Sequence, residues 1–262
     1  MFANVGKTFT LIEDVPHIPQ EGSWDCGLAC LRMTTRYLKP LSPVNTIEEA
    51  CKEHNLGKSV WTIDLAYLCQ ILDISHQFCT KTLGVDSNYR TESFYMNEME
   101  SDLSEEEKRV NLLFSTANDK NVKVEKRSVD LSCILKHLET EQPIIVLIND
   151  KELHSNPVDS SNLASNSPPE IPCCFWFCCW NGGEYSTITS QQLNAENNQM
   201  SSDYWGHFVV IVGYDLNRKI FFLNDPSPDG KHVQCTFETL ERARKSYGTD
   251  EDILFLYSPT KS

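Results

Sequence analysis

Two apolar segments that lie close together in the chain place the strongest constraint on its fold. Residues 207–215 and 219–225 are rich in β-branched and aromatic side chains, and only a short polar stretch separates them. Two such segments joined by a short polar turn predict a β-hairpin. His207 begins the first segment and Asp225 ends the second. The two side chains are therefore expected to be neighbours across the paired strands, which is the geometry that a base and its orienting carboxylate require.

A second segment predicts a thiol at the start of a helix. Cys26 and Gly27 stand directly before apolar residues at helical spacing: Leu28, Leu31, Met33 and Tyr37. The unpaired N–H groups and the dipole at a helix N-terminus favour an anion, so a thiol placed there ionises more readily, and the thiolate is the nucleophile. Gly27 permits a tight turn beside the sulfur. The side-chain amide of Gln20 can donate a hydrogen bond to an oxyanion that develops there.

Together these residues predict a nucleophilic site with Cys26 as the nucleophile, His207 as the base and Asp225 as the residue that orients the base. Gln20 would supply the oxyanion contact. Each residue also has an ordinary structural interpretation: a buried thiol, a core imidazole, an Asp that starts a turn before proline, and a loop amide. Asn224 offers the same orienting chemistry as Asp225, but alternation along a strand puts the two on opposite faces, so only one can reach the imidazole.

Composition limits the partners and the compartment. The chain has 262 residues, 40% of them hydrophobic, which is enough for a sizeable core. A net charge of −14 argues against nucleic acid as a partner, because phosphate-binding surfaces need clustered Lys and Arg. We expect no signal peptide, and no apolar run reaches the roughly 18 residues of a membrane span. Eleven cysteines, an odd number, predict free thiols and a cytoplasmic location, with the nucleus also open.

The order of the predicted elements indicates the fold class. Helices come mainly first and strands mainly last, which predicts an α+β fold with a helical half packed on an antiparallel β-sheet half. Besides the helix from Leu28 to Leu38, the patterns predict helices starting at Thr46 and spanning 61–72, 105–118, 131–139 and 237–245. Besides the hairpin, they predict strands at 76–82, 122–129, 143–148 and 253–257.

We predict a single domain over residues 1–262 with surface insertions at about 86–107 and 151–203. The first is strongly acidic and is expected to be solvated. The second is rich in Ser, Asn and Pro and contains Cys173, Cys174, Cys178 and Cys179. Structural zinc sites use spaced rather than adjacent cysteines, so a hydrophobic loop is preferred here, with palmitoylation left open. The acidic residues 250–252 are expected to form a solvated turn rather than a metal site.

The motifs around Cys26, His207 and the Asp225-Pro226 step resemble those of papain-like cysteine peptidases, most closely the bacteriocin-processing branch that cleaves leader peptides. A wider set of blocks resembles the guanylyl cyclase domain-containing family of animals and plants: residues 17–37, 61–68, 204–214 and 241–254. The peptidase resemblance implies a papain-like fold, with Cys26, His207, Asp225 and Gln20 in the roles given above.

The name of that second family implies another activity, conversion of GTP to cyclic GMP. A nucleotide cyclase must hold a triphosphate, usually with Mg²⁺, through paired carboxylates and basic residues. The chain has no Gly-rich loop followed by Lys and Ser or Thr, and its net charge disfavours a polyanion. The sequence therefore favours a cysteine hydrolase that acts on a peptide, amide or thioester bond, with a peptide or protein substrate and without a cofactor or metal. Two alternatives stay open: the cyclase, which alone requires GTP, and a non-catalytic adaptor on a papain-like fold.

Overall fold

The structure is a computed structural model that describes residues 6–85, 100–154 and 204–258; for residues 100–104 it describes the backbone alone. Within these ranges the helices are α1 (Cys26–Leu38), α2 (Thr46–Glu53), α3 (Thr62–Ile71), α4 (Glu100–Thr116), α5 (Leu131–Glu139), α6 (Asp150–His154) and α7 (Phe237–Arg244). The strands are β1 (Phe9–Leu11), β2 (Ser75–Thr80), β3 (Val124–Lys126), β4 (Ile144–Asn149), β5 (Gly206–Asp215), β6 (Ile220–Asn224), β7 (Val233–Thr236) and β8 (Ile253–Tyr257).

The strands form one mainly antiparallel sheet in the order β3-β2-β8-β4-β5-β6-β7, and β1 pairs with β5 from outside this path. Only the β2–β3 pair among the described strands is parallel. The ten residues of β5 are buried except at the two ends, because neighbouring strands and packed helices cover this strand. A continuous apolar run such as 208–212 is typical of a strand that is covered on both faces. Strand β5 is therefore the centre of the fold.

The helical layer packs on this sheet through α1 and α3. Helix α1 contacts β5 and α3, and α3 contacts β2 and β8. Both helices bury most of their apolar residues, and α1 is buried at each of its first six positions, residues 26–31. The predicted α+β architecture, with helices packed on a largely antiparallel sheet, is confirmed. No helix among the described residues has the length and apolar character needed to cross a membrane.

One glycine on β5 is required by the approach of β1. Residue Gly213 pairs with Leu11, and a Cβ built on Gly213 would lie 2.2 Å from the carbonyl oxygen of Thr10. Real Cβ atoms do not come that close to a backbone oxygen. The register of β5 against β6 shifts between Ile211 and Gly213, so the chain also bends here. The glycine thus allows the N-terminal strand to close against the central strand.

Parts of the two predicted insertions belong to the described fold. Helix α4 begins at Glu100, so residues 100–107 continue into a packed helix. Within it Glu106 accepts a hydrogen bond from Trp61 Nε1 at 3.0 Å. Helix α6 includes residues 151–154, and Glu152 pairs with Arg242 of α7 at 2.7 Å. The remainder of both predicted insertions, residues 86–99 and 155–203 with their four cysteines, lies outside the described residues.

The prediction of a solvated turn at residues 250–252 is wrong. Glu251 and Asp252 are both buried. Glu251 contacts Lys81 Nζ at 3.4 Å and also accepts a hydrogen bond from Ser128. Burial, and to a smaller degree the charge of Asp250, raise the pKa of Asp252 to about 8. Tertiary burial has overridden a sequence pattern that is typical of surface loops.

Candidate active site

The centre of the candidate site is a buried imidazole–carboxylate pair. His207 is the second residue of β5, and Asp225 follows the last residue of β6, so the hairpin brings them together. His207 Nε2 lies 3.1 Å from Asp225 Oδ1, and each residue is 4% exposed. Burial alone would raise the pKa of Asp225, but the hydrogen bond and charge of His207, helped by hydrogen bonds from Ser227, lower it to about 2. Asp225 is therefore an anion at neutral pH.

The loop after β6 holds the Asp225 carboxylate in place. The backbone N–H of Ser227 donates to Asp225 Oδ1 at 2.8 Å, and the N–H of Asp225 donates to Gly230 O at 2.8 Å. A Cβ on Gly230 would lie 2.1 Å from Asp225 O, so a side chain cannot be accommodated there. His17 Nε2 lies 2.8 Å from Asp225 O and 3.0 Å from Ser227 O. The carboxylate is thus fixed by its own loop and by the N-terminal segment.

The alternative orienting residue, Asn224, has other partners. Its Nδ2 donates to Val15 O at 3.2 Å, and its Oδ1 accepts from the backbone N–H of His232 at 3.2 Å. Asn224 is fully buried in these contacts. The structure therefore places Asp225, and not Asn224, against His207.

Cys26 lies at the first position of α1 and is 5% exposed. The start of this helix packs on the start of β5. A Cβ on the next residue, Gly27, would lie 3.0 Å from the ring of Phe208, which follows the candidate base. One turn along the helix, Cys30 is buried and its Sγ lies 3.3 Å from Phe208 O. The close approach at Gly27 brings the helix N-terminus and the strand start together.

Gln20 is hydrogen-bonded to the loop that follows Asp225. Its backbone N–H donates to Pro226 O at 2.8 Å, and its side-chain Nε2 donates to Gly22 O at 2.7 Å. The segment between Gln20 and Cys26 is organised by Asp25, which occupies the helix N-cap position. Asp25 does not bond an N–H of the helix through its side chain. Its carboxylate accepts instead from the N–H of Gly22 at 2.8 Å and pairs with Arg32 at 3.2 Å.

A further carboxylate at this site escaped the sequence analysis. The side chain of Asp150 lies beside the pair. A carboxylate oxygen of Asp150, a ring nitrogen of His207 and a carboxylate oxygen of Asp225 all lie within 4.8 Å of one another. His154, one helical turn after Asp150, places Nε2 at 3.3 Å from Asp150 Oδ1. The sequence does show that Asp150 directly follows a buried strand. This position points to His207 only once the register of β4 against β5 is known.

Asp150, His207 and Asp225 also form a donor set that a divalent metal ion could use. One imidazole and two carboxylates match the ligand preferences of Zn²⁺ and related ions. His207 Nε2 and Asp225 Oδ1 already make a direct hydrogen bond. A metal ion bound through these two atoms would have to replace that bond.

Comparison with known proteins places the chain in a family. A family model described as Guanylylate cyclase matches residues 15–256, which is most of the chain. The chain belongs to this guanylyl cyclase family. The protein named Guanylyl cyclase 1 from Arabidopsis thaliana is 33% identical over 247 residues, which is 93% of this chain and 75% of that protein. The family resemblance stated from the sequence motifs is thereby confirmed.

Among solved structures, one described as that of a C39-like peptidase from Bacillus anthracis aligns with 97% of this chain and 100% of its own. The TM-score is 0.46 and the sequence identity is 13%. We draw no functional conclusion from a likeness at that level. The chemistry proposed below stands on the described residues alone.

Proposed function

We propose that this member of the guanylyl cyclase family is a papain-like cysteine hydrolase in which Cys26, His207 and Asp225 form a catalytic triad. The observation that carries the proposal is the buried His207–Asp225 pair, which lies at the start of the strand on which the N-terminus of α1 packs. A thiol at a helix N-terminus, a base and a carboxylate that orients the base are the three parts of an activated nucleophile.

The proposed chemistry assigns one task to each group. With Nε2 of His207 held by Asp225, the other ring nitrogen, Nδ1, would take the proton of the Cys26 thiol. The thiolate attacks the carbonyl carbon of an amide, peptide or thioester bond, and the imidazolium then protonates the leaving amine or thiol. Water, deprotonated by the same imidazole, hydrolyses the acyl–cysteine thioester. Asp225, ionised at neutral pH, stabilises the imidazolium in both steps.

Gln20 is the proposed oxyanion donor. Its side-chain amide, which donates to Gly22 O at 2.7 Å, is an N–H donor of the kind that stabilises an oxyanion. The backbone hydrogen bond from Gln20 to Pro226 O keeps the main chain of Gln20 at the loop that follows Asp225. Preorganised donors of this kind lower the barrier because they need no rearrangement when charge develops.

Three further predictions from the sequence form part of this proposal. We propose one papain-like domain, a peptide or protein substrate and a cytoplasmic or nuclear location. The seven cysteines within the described ranges are free thiols, which suits a reducing compartment.

A second candidate function, conversion of GTP to cyclic GMP, is favoured by the match to the Arabidopsis protein named Guanylyl cyclase 1. In this alternative Asp150 and Asp225 would hold the divalent ion that a triphosphate requires. The net charge of −14 and the two carboxylates opposite His207 disfavour a polyanion unless such an ion is present. A third candidate is an adaptor without catalytic activity.

One set of assays on the full chain separates the three candidates. The wild-type protein and its Cys26→Ser and Cys51→Ser variants are tested for hydrolysis of peptide, amide and thioester substrates, and for cyclic GMP formation from GTP with Mg²⁺ or Mn²⁺. Cys51 is the matched control because it is a half-buried thiol whose pKa burial raises to about 11. We expect hydrolysis that only Cys26→Ser abolishes.

Other results of these assays would favour one of the two alternative functions. Cyclic GMP formation that Cys26→Ser leaves at the wild-type rate would support the cyclase. If neither hydrolysis nor cyclic GMP formation is detected for the wild-type protein or for either variant, the results would favour the adaptor.

A further inference from the structure

The pairing of the two central strands brings a third donor side chain to the His207–Asp225 pair. The register of β4 on β5 sets Ile148 opposite His207, and Asp150 follows two residues later. The backbone N–H of Asp150 donates to Trp205 O at 2.8 Å, which holds its main chain against the segment that leads into β5. Among the residues that the structure describes, Asp150, His207 and Asp225 are the one group of three His, Cys, Asp or Glu side chains with donor atoms that all lie within 4.8 Å of one another.

The spacing of these donors is close to the spacing that a zinc ion needs. Bonds of about 2.0–2.2 Å from Zn²⁺ to nitrogen and oxygen put neighbouring ligand atoms of a tetrahedral site about 3.4 Å apart. His207 Nε2 and Asp225 Oδ1 are already 3.1 Å apart. The donor atom of Asp150 lies no more than 4.8 Å from those of the other two residues. A shift of the Asp150 carboxylate by about 1.4 Å at most, which side-chain rotation can supply, would therefore close the three donors on an ion.

The surroundings of the three side chains resemble those of metal ligands. His207 and Asp225 are each 4% exposed, whereas the side chain of Asp150 is 16% exposed, so the site is open to solvent mainly at Asp150. The backbone N–H of Ser227 donates to Asp225 Oδ1 at 2.8 Å, and His154 Nε2 lies 3.3 Å from Asp150 Oδ1. Such outer partners orient ligating carboxylates. Two carboxylates and one imidazole balance the charge of Zn²⁺ and leave a fourth position for water.

We propose that Asp150, His207 and Asp225 bind Zn²⁺ and that the bound ion inhibits the cysteine hydrolase. The inhibitory part rests on the proposed function, whereas the binding part concerns these three residues alone. The donor set favours Zn²⁺ over Mg²⁺ or Ca²⁺, because those two ions take six or more ligands that are mainly oxygen atoms, and this set supplies an imidazole and only two carboxylates.

Coordination removes the base whichever ring nitrogen of His207 binds the ion. A neutral imidazole has one nitrogen with a hydrogen and one with a lone pair, and the metal takes the lone pair. With the ion on Nε2, the ring hydrogen moves to Nδ1, which then cannot accept the proton of the Cys26 thiol. With the ion on Nδ1, the accepting nitrogen is itself occupied. A chelator that withdraws the ion restores the free lone pair, so the inhibition is reversible.

Binding is measured with Co²⁺, a spectroscopic substitute for Zn²⁺, in the full-length Cys26→Ser protein. Co²⁺ on nitrogen and oxygen ligands absorbs visible light without the thiolate charge-transfer band that Co²⁺ on a cysteine would show, so other thiols do not obscure this site. We expect such a spectrum, and its loss when Zn²⁺ is added. Asp150→Asn should weaken Co²⁺ binding at least about 10-fold, since even an outer-shell partner contributes about 10- to 100-fold. Asp229→Asn, at an exposed position in the loop after β6, is the control and should leave binding unchanged.

Inhibition is measured on protein that keeps Cys26, at buffered Zn²⁺ concentrations and with reversal by EDTA. The Zn²⁺ concentration that halves the hydrolysis rate should rise at least about 10-fold in Asp150→Asn and stay at the wild-type value in Asp229→Asn. Equal sensitivity of Asp150→Asn and the wild type would mean that Zn²⁺ inhibits through the Cys26 thiol, and the proposal would be overturned.

Failure of the zinc site and failure of the triad give different results. Absence of a Co²⁺ spectrum of the expected kind would refute the site. If Asp150→Asn does not fold, the NMR signals of the His207 ring in the Cys26→Ser protein decide, because signals that excess Zn²⁺ leaves unchanged also refute it. Zn²⁺ bound at these residues in a protein without hydrolase activity would support the site and remove the inhibitory role together with the triad.

Discussion

The charge of Asp225 can be removed while its hydrogen bonds are kept. Its Oδ1 accepts from Ser227 N–H and lies against His207 Nε2. An amide oxygen has two lone pairs and can accept both bonds, so Asp225→Asn deletes the negative charge at nearly constant shape. The substitution therefore isolates the electrostatic part of the pair from its packing.

The expected magnitude follows from the pKa of Asp225. Its fall from the ordinary value of 3.8 to about 2 corresponds to a contribution to folding of about 2.4 kcal/mol at neutral pH. Because the pKa is lower in the folded state, this stabilisation is present above pH 4 and is lost as the pH falls towards 2. Asp225→Asn should therefore reduce the free energy of unfolding by about 2 kcal/mol at pH 7, with a difference from wild type that shrinks below pH 4.

Urea unfolding followed by circular dichroism between pH 7 and pH 3 measures this difference. Asp229→Asn, the same chemical change at an exposed position of the same loop, is the control and should differ from wild type by less than about 0.5 kcal/mol. A constant offset for Asp225→Asn at every pH, or no offset at pH 7, would refute the account of an ionised Asp225 held against His207.

Three further substitutions test other parts of the structure. Gly27→Ala puts a methyl group 3.0 Å from the Phe208 ring, so it should displace the helix start and slow alkylation of Cys26 by iodoacetamide more than it lowers the melting temperature. Arg109→Ala leaves the fully buried Asp64 without its bidentate partner, and the free energy of unfolding in urea should fall by about 3–5 kcal/mol. Asp252→Asn should gain stability relative to wild type as the pH rises from 4 to 8. In that range the Asp252 carboxyl keeps its proton in the folded protein, where its pKa is about 8, but ionises in the unfolded chain, which favours unfolding of the wild type. Thermal melts at both pH values check this.

Most features that could be predicted from the sequence depend on local residue patterns. The hairpin of β5 and β6 rests on two neighbouring apolar segments, and period-two alternation is enough to separate the face of Asp225 from that of Asn224. Helices α1, α3, α5 and α7 likewise follow from apolar spacing, and the observed bounds agree with the predicted ones to within a few residues.

Non-local pairing accounts for what the sequence could not predict. Asp150 reaches His207 only because β4 pairs with β5 in one register, and the two residues are far apart in the chain. The parallel contact of β2 with β3 depends in the same way on the whole sheet. Residues 250–252 have the composition of a surface turn, but Glu251 is buried and contacts Lys81 and Arg244, which only the tertiary structure brings to it.

The most direct test of the proposed nucleophile compares the rates at which individual cysteines react with iodoacetamide at pH 7, resolved by peptide mass spectrometry. Cys51, with a pKa of about 11, should be almost entirely protonated, with a thiolate fraction on the order of 10⁻⁴. The account predicts that Cys26 reacts at least about 100-fold faster than Cys51, and that His207→Ala removes most of that advantage. Equal rates at the two thiols, or a fast Cys26 that His207→Ala leaves unchanged, would contradict it.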